Sequence, residues 1–305
     1  MKEARVWLGP DRPDVIAAAI EDAGGRLVAA PDEANAVVWS QRGYEPEGIQ
    51  DVLHDAIEWV QLESAGVEDW IQRGLVDRAR VWTGAQGVYA PDVAEHVLAF
   101  LLAATRRLPQ AARRTSWGPL SGDRLAGKAV AIVGAGGIGR EVITRLRPFR
   151  ARALALTRSG RTVEGADESL GPERLDELLE RSDYVVLSVP LTPETRGMIS
   201  ERELALMPSH AWLVNVGRGA LVDACALVAA LEQGRIGGAC LDVTDPEPLP
   251  DGHPLWGFEN VLITPHVANP WEVHFEPLAE RVAENVRRFR DGRDLLGVVD
   301  LDRSY

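Results

Sequence analysis

One stretch, AVAIVGAGGIGR at Ala129–Arg140, constrains the fold of this chain more than any other. An apolar run ends in a cluster of glycines, and the residues that follow suit a helix, so the pattern predicts strand, tight turn and helix. Gly134 can adopt a turn that a side chain would block, Gly136 lets a pyrophosphate approach the main chain, and Gly139 lets the helix pack closely on its strand. The free N–H groups at the start of the helix would face the phosphates. Glycine spacing of this kind also arises by chance, and the flanking strand and helix are what favour a dinucleotide site.

Composition limits the partners that this chain can have. Its 305 residues are enough for two domains, and a net charge of −13 argues against nucleic-acid binding. No apolar run is as long as a membrane span, and the amino terminus lacks a signal-peptide pattern, so we expect no membrane partner. Cys225 and Cys240 form neither a disulfide framework nor a metal motif. We therefore expect no metal and a reducing, cytoplasmic location.

The order of the predicted elements indicates two α/β units. The first contains the predicted strands Arg5–Leu8, Ala36–Trp39, Glu58–Leu62 and Arg80–Thr83. The second contains Ala129–Val133, Ala151–Thr157, Tyr184–Val189, Trp212–Val216, Gly238–Val243 and Val261–Thr264. Helices are predicted at Pro46–His54, Pro91–Leu108 and Glu272–Arg290, and the polar stretch after the second of them suits a linker or an arm.

Two features of the first half have more than one interpretation. Ser64–Val67 follows a predicted strand, where ligands bind in parallel sheets, but it is equally consistent with an ordinary connection to the next helix. His96 lies on the apolar helix Pro91–Leu108, and we interpret it as a packed or interfacial histidine rather than a catalytic one.

The end of the strand Ala151–Thr157 bears on the choice of cofactor. NAD-binding units carry an acidic residue near this point, which binds the ribose hydroxyls. Here the sequence is Thr157-Arg158-Ser159, with no carboxylate. One arginine and two hydroxyls suit a 2′-phosphate, so the sequence predicts a preference for NADP, with NAD still possible. The alternative is that Arg158 is only a solvated loop residue.

Three polar residues follow successive strands of the second unit. They are Arg218, Glu247 and His266, and together they suit hydride exchange with a 2-oxo acid. An arginine can bind the substrate carboxylate and polarise the carbonyl, and a histidine can protonate the carbonyl oxygen. A carboxylate behind the histidine fixes its tautomer and stabilises the charged ring. Taken singly, each is also typical of an ordinary surface residue.

Several longer motifs resemble those of the D-isomer-specific 2-hydroxyacid dehydrogenases. They are LESAGVE, VAEHVLAFLLAATRRL, GKAVAIVGAGGIGR, VPLTPETRGMI, VNVGRGALVD, LDVTDPEPLP and NVLITPHVA, in the order of the family. The resemblance implies a Rossmann-type dinucleotide-binding domain inserted into a smaller flavodoxin-like substrate domain. We expect the substrate domain at residues 1–98 and 273–305 and the dinucleotide domain at residues 99–272. It also implies a homodimer, with the arm at about residues 107–125 in the interface.

The resemblance also assigns roles to individual residues. Arg218 matches the substrate-binding arginine, His266 the acid–base histidine and Glu247 its partner. The substrate carboxylate would be held by Arg218 and by the turn Ser64, Ala65, Gly66 and Val67. Besides the glycines Gly134 and Gly139 and the triplet Thr157, Arg158 and Ser159, the cofactor contacts would be Gly136, Gly137, Ile138, Val189, Pro190, Thr195, Val216, Gly217, Arg218, Asp242 and His266.

In lacking an acidic residue after the strand Ala151–Thr157, the sequence resembles the NADPH-dependent glyoxylate/hydroxypyruvate reductase branch of the family. We therefore predict NAD(P)H-dependent reduction of a small anionic 2-oxo acid. One alternative is another D-2-hydroxyacid dehydrogenase, for example for 3-phosphoglycerate, for which Arg42 is a candidate cation. The other is a non-catalytic dinucleotide-sensing protein. Trp271 either shapes the substrate pocket or packs between the two expected domains.

Overall fold

The computed structural model describes residues 1–41, 46–271 and 273–301. The chain divides into two compact units: the first is Met1–Tyr89 with Pro270–Tyr305, and the second is Ala90–Asn269. The second unit therefore interrupts the first in sequence; it begins nine residues before the predicted start at residue 99 and ends three residues before the predicted end at residue 272. Which unit binds substrate and which binds dinucleotide stays a prediction. Arg42 lies outside the described residues.

The first unit contains a parallel sheet with the strand order β2-β1-β3-β4-β5. This is the order of flavodoxin-like sheets. Its strands are β1 (Arg5–Pro10), β2 (Arg26–Leu27), β3 (Ala36–Ser40), β4 (Trp59–Leu62) and β5 (Val81–Thr83). Its helices are α1 (Asp14–Asp22), α2 (Glu68–Gln72) and, from the carboxyl-terminal segment, α9 (Phe275–Asp291), with 3-10 turns at Pro31–Glu33 and Pro46–Asp51.

The second unit contains a seven-stranded parallel sheet with the order β12-β11-β10-β9-β6-β7-β8. Its strands are β6 (Ala129–Val133), β7 (Arg152–Leu156), β8 (Glu168–Leu170), β9 (Tyr184–Leu187), β10 (Trp212–Asn215), β11 (Gly238–Leu241) and β12 (Val261–Ile263). Its helices are α3 (Ala90–Thr105), α4 (Leu108–Ala112), α5 (Gly137–Leu146), α6 (Leu175–Glu180), α7 (Glu201–Leu206) and α8 (Ala224–Glu232). Shorter 3-10 turns lie at Arg147–Phe149, Pro172–Arg174, Gly219–Leu221 and Pro254–Gly257.

The strand order of the second unit is that of a Rossmann-type doubly wound sheet with one added strand, β12. Every residue of β6, β9, β10 and β11 is buried, as expected for parallel strands with both faces covered. The strand order reverses between β6 and β9, and ligands of such sheets bind outside the carboxyl ends of the strands at this point. The predicted α/β class with a Rossmann-type unit is confirmed.

In the part of the chain that the structure describes, no helix is both long and apolar enough to cross a bilayer.

Candidate active site

The glycine turn (residues 134–139) joins β6 to α5, and two of its glycines are required by crowding. Gly134 has φ +99°, and a Cβ there would lie 2.7 Å from Val189 Cγ1 and 2.9 Å from the Ser188 carbonyl oxygen. A Cβ on Gly139 would collide with the carbonyl oxygen of Gly134, so only glycine lets α5 approach the strand this closely.

Gly136, at the N-cap of α5, has different surroundings. A Cβ built on it would meet no atom within 4 Å among the described residues, so the main chain is open on that side. A pyrophosphate can therefore approach the backbone here and face the amino-terminal end of the ten-residue helix α5. The turn thus fits a dinucleotide.

The residues after β7 lie on a tight turn at the carboxyl edge of the sheet. The Gly160 N–H donates to the Thr157 carbonyl at 3.2 Å, which turns the chain and leaves Arg158 and Ser159 exposed. The Thr157 hydroxyl is buried and has no hydrogen-bond partner within the described ranges. The chemistry of this triplet, one guanidinium and two hydroxyls, fits an anionic group.

The other predicted cofactor contacts follow β9 and β10. Thr195 donates to the Pro190 carbonyl at 2.7 Å and accepts from the Thr192 N–H, which folds the segment after β9 back on itself. After β10, the Gly217 N–H donates to Asn215 Oδ1 at 3.1 Å. The two segments also contain Val189 and Val216, and the glycine turn also contains Gly137 and Ile138. All three lie at the carboxyl edge of the same sheet.

Arg218 is half-buried directly after this segment. Asn215 Nδ2 donates to the Arg218 carbonyl at 2.9 Å, and Arg218 Nη1 donates to the Gly217 carbonyl at 2.8 Å. The guanidinium is close enough to act electrostatically on both Glu247 and His266. The structure therefore brings the three predicted catalytic residues together at one edge of one sheet.

His266 and Glu247 form a direct pair. His266 Nδ1 lies 2.6 Å from Glu247 Oε1, so the carboxylate accepts the Nδ1 proton and leaves Nε2 for other chemistry. This hydrogen bond raises the pKa of His266 above its ordinary value of 6.5, although burial and the charge of Arg218 act in the opposite direction. Burial alone would raise the pKa of Glu247, but its hydrogen bonds and the charge of His266 lower it. The pair therefore favours the charged form of both groups.

His266 has an unusual backbone conformation for a residue other than glycine, with φ +51°. Asp242, only 2% exposed, holds this part of the chain. Its carbonyl accepts the His266 N–H at 2.8 Å. Its carboxylate accepts the N–H groups of Val267 at 2.9 Å and Ala268 at 3.0 Å, and the Thr264 hydroxyl at 2.5 Å. We call residues 264–268 the histidine loop. Strained residues of this kind are characteristic of functional sites.

The predicted substrate turn (residues 64–67) lies in the first unit and directly follows β4. The Ser64 carbonyl accepts the Ala85 N–H at 2.9 Å, and Val67 is fully buried at the N-cap of the short helix α2. Ala65 is exposed and Gly66 is half-buried, so the main chain between the two anchors is accessible.

Residues 98–268 match the family described as "D-isomer specific 2-hydroxyacid dehydrogenase, NAD binding domain". The chain belongs to this family. It is 41% identical over 214 residues to a glyoxylate reductase from Thermofilum pendens, a match covering 67% of this chain and 63% of that protein.

Two solved structures extend the likeness of this D-isomer specific 2-hydroxyacid dehydrogenase over its whole length. A D-isomer specific 2-hydroxyacid dehydrogenase from Xanthobacter autotrophicus Py2, in complex with NADPH and MES, has a TM-score of 0.86 and 29% identity, covering 100% of both chains. An NADPH-dependent glyoxylate/hydroxypyruvate reductase from Sinorhizobium meliloti, with NADP and sulfate, has a TM-score of 0.83 and 27% identity, covering 99% of this chain and 100% of that one. The chain is an NAD(P)-dependent oxidoreductase that interconverts a 2-hydroxy acid and a 2-oxo acid.

Sequence reasoning missed two residues of this dehydrogenase that lie against Asp242, which supports the loop carrying His266. Thr264 and His96 both approach Asp242, and nothing in their local sequence indicated it. Within residues 1–41, 46–271 and 273–301, no group of three or more His, Cys, Asp or Glu side chains is placed to hold a metal ion.

Proposed function

We propose that this protein is an NADPH-preferring reductase of a small 2-oxo acid of the glyoxylate or hydroxypyruvate class. The observation that carries the proposal is the His266–Glu247 pair, with Arg218 beside it, at the sheet edge that also holds the glycine turn. Similarity to the glyoxylate reductase from Thermofilum pendens and to the glyoxylate/hydroxypyruvate reductase from Sinorhizobium meliloti supports the substrate class.

His266 is the proton donor in this mechanism. NADPH, when bound, supplies the hydride that adds to the carbonyl carbon. His266 is protonated at both nitrogens, Nδ1–H is held by Glu247, and Nε2 gives its proton to the carbonyl oxygen. Glu247 stabilises the charged ring before the transfer and fixes the tautomer that remains after it. The raised pKa of His266 keeps the donor form present near neutral pH.

Arg218 orients the substrate in this proposal. The guanidinium binds the carboxylate next to the reacting carbonyl and polarises that carbonyl. The family resemblance makes the N–H groups of residues 64–67, in the first unit, a second candidate for binding a substrate carboxylate. The accessible main chain between the anchored residues Ser64 and Val67 supports this role.

The preference for NADPH rests on the turn after β7. Thr157, Arg158 and Ser159 offer two hydroxyls and a guanidinium, and no carboxylate lies at this point of the sequence to repel a 2′-phosphate. The complexes of the two structural neighbours with NADPH and NADP agree with this assignment. The absence of a carboxylate is as important as the presence of Arg158, because the acidic residue typical of NAD sites would repel the 2′-phosphate of NADPH.

Trp271 is the residue that bears on the size of the substrate pocket. The ring of Trp271 stacks on His274, with centroids 5.3 Å apart, and meets the edge of Phe275 at 5.0 Å. These contacts support a packing role for Trp271. The alternative substrate, 3-phosphoglycerate, would call for further cations.

A homodimer and a cytoplasmic location complete the proposal. Every residue from 111 to 124 is exposed, and Trp117 is as exposed as in an isolated peptide, at 104%. An arm of this kind with an uncovered tryptophan suits contact with a second copy of the chain. Cys225 is an exposed free thiol, which suits a reducing compartment.

Nicotinamide absorbance during turnover tests the proposal directly. Glyoxylate and hydroxypyruvate are each offered with NADPH and with NADH, and NADPH should give a kcat/KM at least about tenfold higher. Arg158→Asp should lower the NADPH-to-NADH ratio by about ten- to a hundredfold, since a carboxylate would then stand against the phosphate. Arg152→Asp, at the opposite end of β7, makes the same change in charge and should leave the ratio unaltered.

The possible outcomes separate the parts of the proposal. Activity with NADH alone would keep the reductase and remove the assignment of Arg158. Inactivity with both acids, but turnover of bulkier 2-oxo acids, would change only the substrate. Tight dinucleotide binding without reduction of any 2-oxo acid would favour the sensing protein.

A further inference from the structure

His96 lies on α3 and reaches towards the residues that hold the histidine loop. The edge of its ring packs against Phe100, with centroids 4.4 Å apart and the planes at 70°. Its Nε2 lies 3.0 Å from Thr264 Oγ1 and 3.6 Å from Asp242 Oδ1. The packing predicted from the sequence is therefore only part of its role, because the polar edge of the ring has a specific partner.

The direction of these hydrogen bonds follows from counting protons. The Thr264 hydroxyl carries one proton, and at 2.5 Å it donates that proton to Asp242 Oδ1. Thr264 Oγ1 must then accept from His96, so the imidazole carries its proton on Nε2. The result is a chain of two donors, from His96 through Thr264 to Asp242, in which each bond strengthens the next.

Asp242 connects the His96–Thr264 hydrogen bond to the loop that carries His266. Its Oδ1 accepts from Thr264 and Val267, and its Oδ2 accepts from Ala268. Its carbonyl accepts the N–H of His266, whose φ of +51° needs continuous support from its surroundings. A carboxylate that turned away from the loop would release both residues after His266.

We propose that His96 is a positioning residue for proton transfer by His266, acting through Thr264 and Asp242. Its Nε2–H fixes the direction of the Thr264 hydroxyl, which keeps the Asp242 carboxylate turned towards the histidine loop. The role in turnover rests on the proposed function of His266, whereas the effect on the loop itself does not.

The charge state of His96 is consistent with this role. Burial lowers its pKa below the ordinary value of 6.5, although the negative charge of Asp242 acts in the opposite direction. The neutral ring therefore predominates at neutral pH. A neutral His96 orients the Thr264 hydroxyl without opposing the negative charge of Asp242. That negative charge helps to raise the pKa of His266.

Two substitutions separate the hydrogen bond from the packing. His96→Phe keeps a ring against Phe100 and removes the donor, whereas His96→Gln offers an amide N–H at a similar reach. The control is His210→Phe, because His210 also contacts a carboxylate, Asp183 at 3.0 Å, but lies before β10 at the opposite edge of the sheet. Each variant is compared with the wild-type protein by thermal unfolding, to show that it folds.

Two measurements test the proposal: hydrogen–deuterium exchange of the histidine loop and steady-state turnover. Hydrogen–deuterium exchange of the peptide covering the histidine loop should be about three- to tenfold faster in H96F, as expected when one supporting hydrogen bond is lost, and close to wild type in H96Q and H210F. In turnover, H96F should lower kcat for the 2-oxo acid by about tenfold, with the KM for NADPH changed less than about twofold. H96Q should recover most of kcat.

The outcomes distinguish this inference from the proposed function. Unchanged loop exchange in H96F, or equal impairment of H96Q and H96F, would overturn the positioning role. A wild-type protein that reduces no 2-oxo acid would remove the proposed function, and the exchange measurement would still decide whether His96 holds the loop.

Discussion

The two histidines on either side of Asp242 have opposite properties, although their side chains are identical. His266 is about half exposed, and its hydrogen bond to Glu247 raises its pKa. His96 is only 20% exposed, its partner is a neutral hydroxyl, and burial lowers its pKa. A direct carboxylate partner favours the charged form of one ring, and burial favours the neutral form of the other. In the proposed mechanism, proton transfer depends on the exposed pair of His266 and Glu247, and the geometry of that pair depends on His96, Thr264 and Asp242, which we call the Asp242 cluster.

The largest effect is expected from removing the proton donor of the exposed pair. His266→Ala should lower kcat by about 10²- to 10⁴-fold, the usual contribution of a general acid, because the proposed proton donor to the carbonyl oxygen is then missing. Binding of NADPH, measured by fluorescence titration, should change by less than about threefold. Near-normal turnover in this variant would remove the distinction between the two histidines.

Asp242→Asn should damage the Asp242 cluster and, through it, the exposed pair. An amide has a single acceptor oxygen, so at least one of the donors that face Asp242 loses its partner, and the new NH2 group faces a donor. The free energy of unfolding, from urea denaturation, should fall by about 1–3 kcal/mol, and kcat should fall by about tenfold or more. Asp245→Asn, at an exposed position, serves as the control and should change stability by less than about 0.5 kcal/mol.

Glu247→Gln should change the pH dependence more than the stability. Reduction needs protonated His266, so its rate should fall as the pH rises through the raised pKa of His266. Without the negative charge of Glu247 that pKa is lower, and the alkaline limb of kcat should move to lower pH by about one unit. Oxidation of the 2-hydroxy acid needs the neutral ring, so its rising limb should move in the same direction. Glu259→Gln, an exposed control, should leave both profiles in place; an unmoved limb in E247Q would contradict the role of the pair.

The smallest effect is expected at Thr264. Thr264→Val keeps the shape but removes the hydroxyl between His96 and Asp242, and should lower kcat by about three- to tenfold. Thr264→Ser retains the hydroxyl and should stay within about twofold of wild type, as measured in parallel steady-state assays. If valine were tolerated as well as serine, the Asp242 cluster would have no part in turnover.

The fold could be predicted from the sequence wherever a local pattern was strong enough. The predicted strands correspond to β1, β3–β7 and β9–β12, because buried parallel strands are continuous apolar runs. The edge strands β2 (Arg26–Leu27) and β8 (Glu168–Leu170) were not predicted, since two or three residues show no recognisable period.

Three helices were predicted less accurately than the strands. The predicted helix Pro91–Leu108 is divided into α3 and α4, because Arg107 adopts a left-handed conformation with φ +52°. The predicted helix Pro46–His54 is instead a 3-10 turn at Pro46–Asp51. The helix predicted at Glu272–Arg290 begins at Phe275 and ends at Asp291. Tertiary packing decides these ends, which local propensity only suggests.

By itself, the sequence determined the α/β class, the glycine turn and the positions of Arg218, Glu247 and His266 after strands. These features are local, because a turn that excludes side chains and a polar residue at the end of an apolar run can be recognised within a few positions. Only the tertiary structure decided that Asp242 holds the histidine loop and that His96, far away in the chain, reaches Thr264 beside it. Hydrogen bonds and burial join residues that are distant in sequence, and they are what give two identical imidazoles opposite pKa shifts.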